Sequence, residues 1–104
     1  MSYKDITVAE LKPLLASGKV KLVDVRTDTE VAQGFIRGTE KLPLHLLPMR
    51  LQELDAKEPT VFYCQMGGRS AQAAAFAANH GMDDVYNLQG GIVAWAHSGG
   101  EIAV

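Results

Sequence analysis

Cys64 is the one cysteine of the chain, and it closes the apolar run Thr60-Val61-Phe62-Tyr63. Gln65-Met66-Gly67-Gly68-Arg69-Ser70 follow, and an alanine-rich stretch begins at once. A lone cysteine in an apolar strand is most often a small buried hydrophobe. The residues behind it argue for chemistry. Two adjacent glycines let the backbone turn tightly and aim several N–H groups inward. The first turn of the helix adds unpaired N–H groups and the positive end of its dipole. Arg69 adds a permanent, forked cation. Together these compose an anion-binding cup with a thiol at its mouth. An ordinary thiol near pKa ~8.5 is under ~10% thiolate at neutral pH. A drop of about two units, ~2.7 kcal/mol of preference for the anion, makes it mostly thiolate. Cys64 is therefore expected to be a nucleophile, with Gln65, Met66, Gly67, Gly68, Arg69 and Ser70 around the substrate. Ser70 fits the helix N-cap better than a donor to the sulfur, since serine leads among N-cap residues. Met66 belongs at the mouth by position alone.

The elements that must hold this loop can be read on either side of it. Thr7 with Glu10 forms a capping-box pattern, Leu11, Leu14 and Leu15 follow at helical spacing, and Gly18 stands where a cap glycine belongs. Pro13 lies inside this helix and should kink it. Residues 20–25 are short and rich in β-branched side chains, which predicts a strand. Thr27 and Glu30 repeat the capping pattern before a short helix that stops at Gly34. Residues 35–43 read as loop with a short strand. Leu47, Leu51 and Leu54 predict a helix over 46–54, and Pro59 ends that unit. The run at 60–64 is nearly all apolar, as a strand buried on both faces would be. Residues 70–80 are strongly helical and end at Gly81. Residues 85–88 form a last strand, Gly90-Gly91 a turn, and 92–97 a short helix carrying Trp95. Phe62, Tyr63, Phe76 and Trp95 read as core, and Asp83-Asp84 as a solvated turn. Strands alternating with helices on long connections predict an α/β fold, a parallel sheet covered on both faces. In such sheets ligands bind beyond the carboxyl ends of the strands, which is where Cys64 falls.

Composition narrows the functions further. The 104 residues are 47% hydrophobic and 21% charged, as in one soluble globular domain. No run approaches the ~18 apolar residues of a membrane span. Ten Lys and Arg against twelve Asp and Glu give a net charge of -2, with no basic surplus for nucleic acid. One cysteine makes no internal disulfide, and His45, His80 and His97 are scattered, so no metal site is expected. No secretory signal is visible at the start of the chain. A reducing compartment, most simply the cytoplasm, is the expected location.

Cys64, four intervening residues, then Arg69-Ser70, between a buried strand and a helix, resembles the active-site loop of the rhodanese-like sulfurtransferases. The resemblance runs along nearly the whole chain. Asp24-Val25-Arg26 with Glu30 is similar to the family's Asp-x-Arg…Glu segment. Gly34-Phe35-Ile36-Arg37-Gly38 resembles its Gly-His-Ile-x-Gly, with Leu42-Pro43 after it. Gly90-Gly91-Ile92-Val93-Ala94-Trp95 resembles its Gly-Gly-x-x-x-Trp. The resemblance implies a single rhodanese-like domain over residues 1–104, three layers α/β/α around a central, mostly parallel sheet.

It also implies a reaction. A family cysteine attacks the sulfane sulfur of a donor such as thiosulfate, polysulfide or a persulfide, and becomes a persulfide itself. Cyanide or a thiol, possibly on a protein, then removes the outer sulfur. The cysteine is the carrier, so no cofactor is implied, and two half-reactions predict ping-pong kinetics. Asp24, Arg26 and Glu30 read better as an ion-paired brace than as acids and bases, because sulfur transfer from a thiolate moves few protons. Gln65 stands where many members have a second Arg, which weakens the case for a dianionic donor. Phe35 and Val31 replace a family His and aromatic, and read as packing changes. The rival reading is a module of the same fold that carries or senses sulfur without turnover. A phosphatase or arsenate reductase fits less well, since the related phosphatases have one more residue between Cys and Arg and a wider cup.

Overall fold

The computed structural model describes residues 2–104. Five strands, β1 (Lys4–Ile6), β2 (Lys21–Asp24), β3 (Glu40–Lys41), β4 (Thr60–Tyr63) and β5 (Val85–Leu88), form one sheet in the order β1-β5-β4-β2-β3, with every neighbouring pair parallel. Helices α1 (Val8–Ser17), α2 (Asp28–Ala32), α3 (Leu47–Arg50), α4 (Gly68–Asn79) and α5 (Gly91–His97) complete the chain. This is the α/β architecture expected from the alternation. The only antiparallel pairing described is an isolated bridge between Phe35 and Ala103.

Alternating side chains send each central strand into two cores. Val23, Val25, Phe62 and Val85 pack with Leu47, Leu54, Ala73, Ala74 and Ala77 on one face. Leu22, Val61, Tyr63 and Leu88 pack with Val8, Leu11, Ile92 and Trp95 on the other. Alanines along α4 let that helix sit close against the sheet, and β4 is buried at every position, as its apolar composition predicts.

The local signals at 7–18 and 27–30 do what their chemistry dictates. Both capping boxes are closed, and Gly18 ends α1 in a left-handed conformation at φ 71°. Pro13 is carried inside α1, which runs on to Ser17. Phe62, Tyr63 and Trp95 are buried, and Phe76 packs against the first core from a half-buried position.

Two expectations need correction. Residues 46–54 are not one helix: 3₁₀ turns at Leu44–Leu46 and Leu51–Glu53 flank the four-residue α3. Pro48 has no N–H and sits in the first turn of α3, where proline is best tolerated, which accounts for the fresh start there; the leucine spacing is met by a broken helix. The strand β1 was not foreseen at all. Its Lys4-Asp5-Ile6 carries one apolar residue, and pairing with β5 decides its state.

The chain passes from β2 outward to β3, then returns to β4 and runs the other way to β5. Right-handed crossovers on the two halves place their helices on opposite faces. The carboxyl ends of β2 and β4, adjacent and in register (Asp24 opposite Tyr63), therefore open onto a crevice. Among the described residues no helix is long and apolar enough to cross a membrane.

Candidate active site

The chain leaves the sheet after Tyr63, and Cys64 is the first residue of the loop, 2% exposed. Gly67 takes φ 111°, a region that disfavours side chains, and the chain then enters α4 at Gly68. That turn brings amides back over the cysteine. The Gly67 and Ser70 N–H groups donate to Cys64 Sγ at 3.1 and 3.4 Å, and Ser70 Oγ lies 3.3 Å from it. The opposite side of the loop is fixed by α5. Ile92 and Val93 N–H donate to the carbonyls of Cys64 and Gln65 at 3.0 and 3.2 Å. Gly91 lies so close that a Cβ there would stand 2.5 Å from both carbonyl oxygens. With the carbonyls tied outward to α5, the amide hydrogens are left facing the sulfur.

This arrangement sets the charge of the thiol. Burial pushes its pKa up. The Ser70 hydroxyl and the amides of Ser70, Gly67 and Met66 stabilise the anion and outweigh burial, so the pKa is held below that of an ordinary thiol. Two closed ion pairs stand nearby. Arg26, buried, donates to both oxygens of the fully buried Asp24, to the Gly34 carbonyl at 2.6 Å and to Gln65 Oε1 at 3.2 Å. It thus ties the loop after β2 to the loop after β4. Burial opposes its charge, and the bonds and attraction from Asp24 prevail. Arg69 is not free over the cup: both terminal nitrogens grip the Glu30 carboxylate at 2.7 and 2.8 Å. That grip, helped by Thr27, holds the Glu30 pKa down to about 2. Tyr63 is pushed up to about 12 by burial, and its hydroxyl accepts from the Ile36 amide.

The remaining predicted residues lie along the loop and the first turn of α4. Gln65 and Gly68 are exposed, and Met66 is 72% exposed. Ser70 is not the N-cap, which is Gly67. It lies inside the first turn of α4, fully buried, with its hydroxyl on Cys64 and Asn87. The turn at Gly67 starts the helix earlier than the sequence indicates and so swings Ser70 inward. Sequence reasoning missed Asn87 and Asp5, which extend this hydrogen-bonded line, and missed the contact role of Gly91. A polar residue within the apolar run 85–88 was the available signal for Asn87.

A shallow hollow of 240 Å³ flanks the loop, lined by Arg26, Glu30, Gln65, Ile92 and Ile102 among others. A larger one of 350 Å³, at Phe35, Lys41 and Val104, contains no loop residue. Among the described residues no group of three His, Cys, Asp or Glu side chains could hold a metal ion.

Comparisons with known proteins bear on the family and the fold. The family model described as a rhodanese-like domain matches residues 7–98. A sulfurtransferase of Allochromatium vinosum is 48% identical over 80 residues, 77% of this chain and 75% of that protein. The thiosulfate sulfurtransferase GlpE of Stutzerimonas stutzeri is 33% identical over 96 residues, 92% of this chain and 87% of that protein. The crystal structure of a rhodanese-related protein from Thermoplasma volcanium superposes with a TM-score of 0.90 at 26% identity, covering 97% of this chain and 98% of that one. A parallel sheet with a thiol cup at its carboxyl edge, matched along its length by sulfurtransferases, places the chain in the rhodanese-like family.

Proposed function

We propose that residues 1–104 act as one sulfurtransferase domain whose Cys64 thiolate takes a sulfane sulfur from a small donor and passes it to a nucleophile. The observation that carries this reading is the convergence of the Gly67 and Ser70 amides on the only thiol of the chain. In the first half-reaction the thiolate attacks the outer sulfur of the donor. The Cys64 S–S bond forms, the donor's S–S bond breaks, and its electron pair leaves with sulfite or a thiolate. In the second, cyanide or a thiolate attacks the outer sulfur and Cys64 leaves as thiolate. The loop amides hold the anion at both stages, and no group outside the chain is required.

The donor is better a polysulfide or persulfide than thiosulfate. The Arg69 charge is already met by Glu30, and Gln65 supplies no second one, so a dianion finds no unpaired cation among these loop residues. Asp24, Arg26 and Glu30 act as braces. Arg26 holds Gln65 and Gly34 together, and Glu30 ties α2 to the start of α4. The tight Cys64–Arg69 spacing also favours a single sulfur atom over a phosphate or arsenate group. A thiol in this role belongs in a reducing compartment, most simply the cytoplasm.

The test is direct. Reduced protein is incubated with thiosulfate, polysulfide or glutathione persulfide, weighed intact, and then given cyanide. The expected result is the gain of one sulfur followed by thiocyanate, fastest from the persulfide and polysulfide. A gain without turnover to any acceptor identifies a carrier instead, and no gain from any donor defeats the reading. Cys64→Ser should keep the fold and lose all sulfur uptake. Uptake near the wild-type level in that variant removes Cys64 from the role.

A further inference from the structure

Ser70 Oγ stands between two acceptors, the Cys64 sulfur at 3.3 Å and Asn87 Oδ1, and it has one hydrogen to give. Asn87 is 6% exposed and lies opposite Asp5 in the register of β5 and β1. Its Nδ2 donates to Asp5 Oδ1 at 3.1 Å. A carboxylate only accepts, so Asp5 fixes the amide with nitrogen outward and oxygen toward Ser70. The proposed sulfur transfer assigns nothing to either residue.

We propose that Asn87, oriented by Asp5, is a positioning residue that competes with the Cys64 sulfur for the Ser70 hydroxyl hydrogen and so limits how readily the thiol ionises. In the thiol form every group is satisfied: S–H points to Ser70 Oγ, and the hydroxyl donates to Asn87. Ionisation breaks this line. Either the hydroxyl turns to the sulfur and leaves a buried amide oxygen without a donor, or it stays and faces the anion with a lone pair. Either way Asn87 reduces what the hydroxyl gives the thiolate, without cancelling it. After sulfur uptake the charge moves to the outer sulfur, Cys64 Sγ becomes a weak acceptor, and the hydroxyl returns to Asn87. The inference rests on the reading of Cys64 as the reacting thiol. The charged groups that surround it, Asp24 at the end of β2 and Arg26 just beyond it, Glu30 on α2 and Arg69 on α4, form closed pairs with no hydrogen bond to Asn87.

Iodoacetamide alkylation across pH, read by intact mass, follows the single cysteine without any sulfur transfer. Asn87→Leu is expected to lower the midpoint and to raise the alkylation rate below it roughly tenfold. In a Ser70→Ala background the same substitution should do nothing. A midpoint unmoved or raised in folded Asn87→Leu, or an equal fall in both backgrounds, overturns the proposal. Asp5 is exposed and offers a second arm should Asn87→Leu not fold. Asp5→Ala frees the amide to turn and should shift the midpoint the same way, a few-fold in rate. Asp5→Asn keeps an acceptor for Nδ2 and should stay at wild type. Equal shifts in the two Asp5 variants mean that charge alone acts, which also overturns the proposal. Wild-type protein that takes no sulfur from any donor would sink the transferase reading and leave these midpoints standing. Sulfur transfer with unmoved midpoints would sink only the competition for Ser70.

Discussion

Glu30 accepts from the Thr27 amide and hydroxyl with one oxygen, and holds Arg69 with both. Its folded pKa is depressed to about 2 from an ordinary 4.5. A depressed carboxylate contributes stability above its unfolded pKa and loses it as pH falls through the folded one. The Glu30 contribution should therefore hold from neutral pH to about 4.5 and vanish toward about 2, which wild type and Glu30→Gln compared by chemical denaturation at each pH will show. The side chains are 29% and 37% exposed, so the difference should stay under about 1 kcal/mol. Glutamine still closes the capping box. Glu30→Gln should thus keep α2 while leaving the Arg69 charge unmet, and raise kcat/KM for thiosulfate roughly three- to tenfold. An unchanged ratio of thiosulfate to persulfide use would mean that the Arg69 charge does not govern donor choice. Cys64 should react faster as pH rises, with a midpoint below that of a free thiol, because the cup favours the anion.

Helix α5 positions the cup from behind. Its first amides hold the Cys64 and Gln65 carbonyls, and this contact is possible only because residue 91 has no side chain and takes φ 59°. Gly91→Ala places a methyl group against two backbone oxygens that belong to the loop itself. The expected result is a folded but less stable protein, with sulfur transfer reduced by at least tenfold and a Cys64 pKa shifted upward as the loop amides turn away. Melting temperature and the alkylation midpoint report the two effects separately, and a wild-type midpoint would show that α5 does not orient the amides. The pair Gly90-Gly91 is visible in the sequence as a turn, but its partner is not, because Gln65 and Gly91 are far apart in the chain and only the packed sheet brings them together. Helix α4 tells the same story from the other side. Its alanines announce a helix, yet the start at Gly68, and hence the inward direction of Ser70, depends on the positive φ of Gly67.

At the scale of the whole molecule, β4 is the central strand and feeds both cores, with Phe62 on one face and Tyr63 on the other. Phe62→Ala should cost about 3–5 kcal/mol, a large part of the ~5–15 kcal/mol of an ordinary domain, and lower the melting temperature by roughly 15–30 °C. Thermal unfolding checks this directly, and a loss under about 1 kcal/mol would contradict the packing described. The apolar runs set between turn signals, the two capping boxes and the loop from Cys64 to Ser70 are local facts. They were sufficient for an α/β class, for most elements and for the place of the thiol at a strand end. The sequence could not settle matters that depend on distant partners. β1 exists because β5 offers it a free edge, and Arg69 turns to Glu30 because α2 lies within reach. Asn87 and Asp5 meet across 82 residues of chain. Residue types and spacing determine which chemistry is available, since these act over a few bonds. Which hydrogen goes to which acceptor is decided only when the strands are side by side.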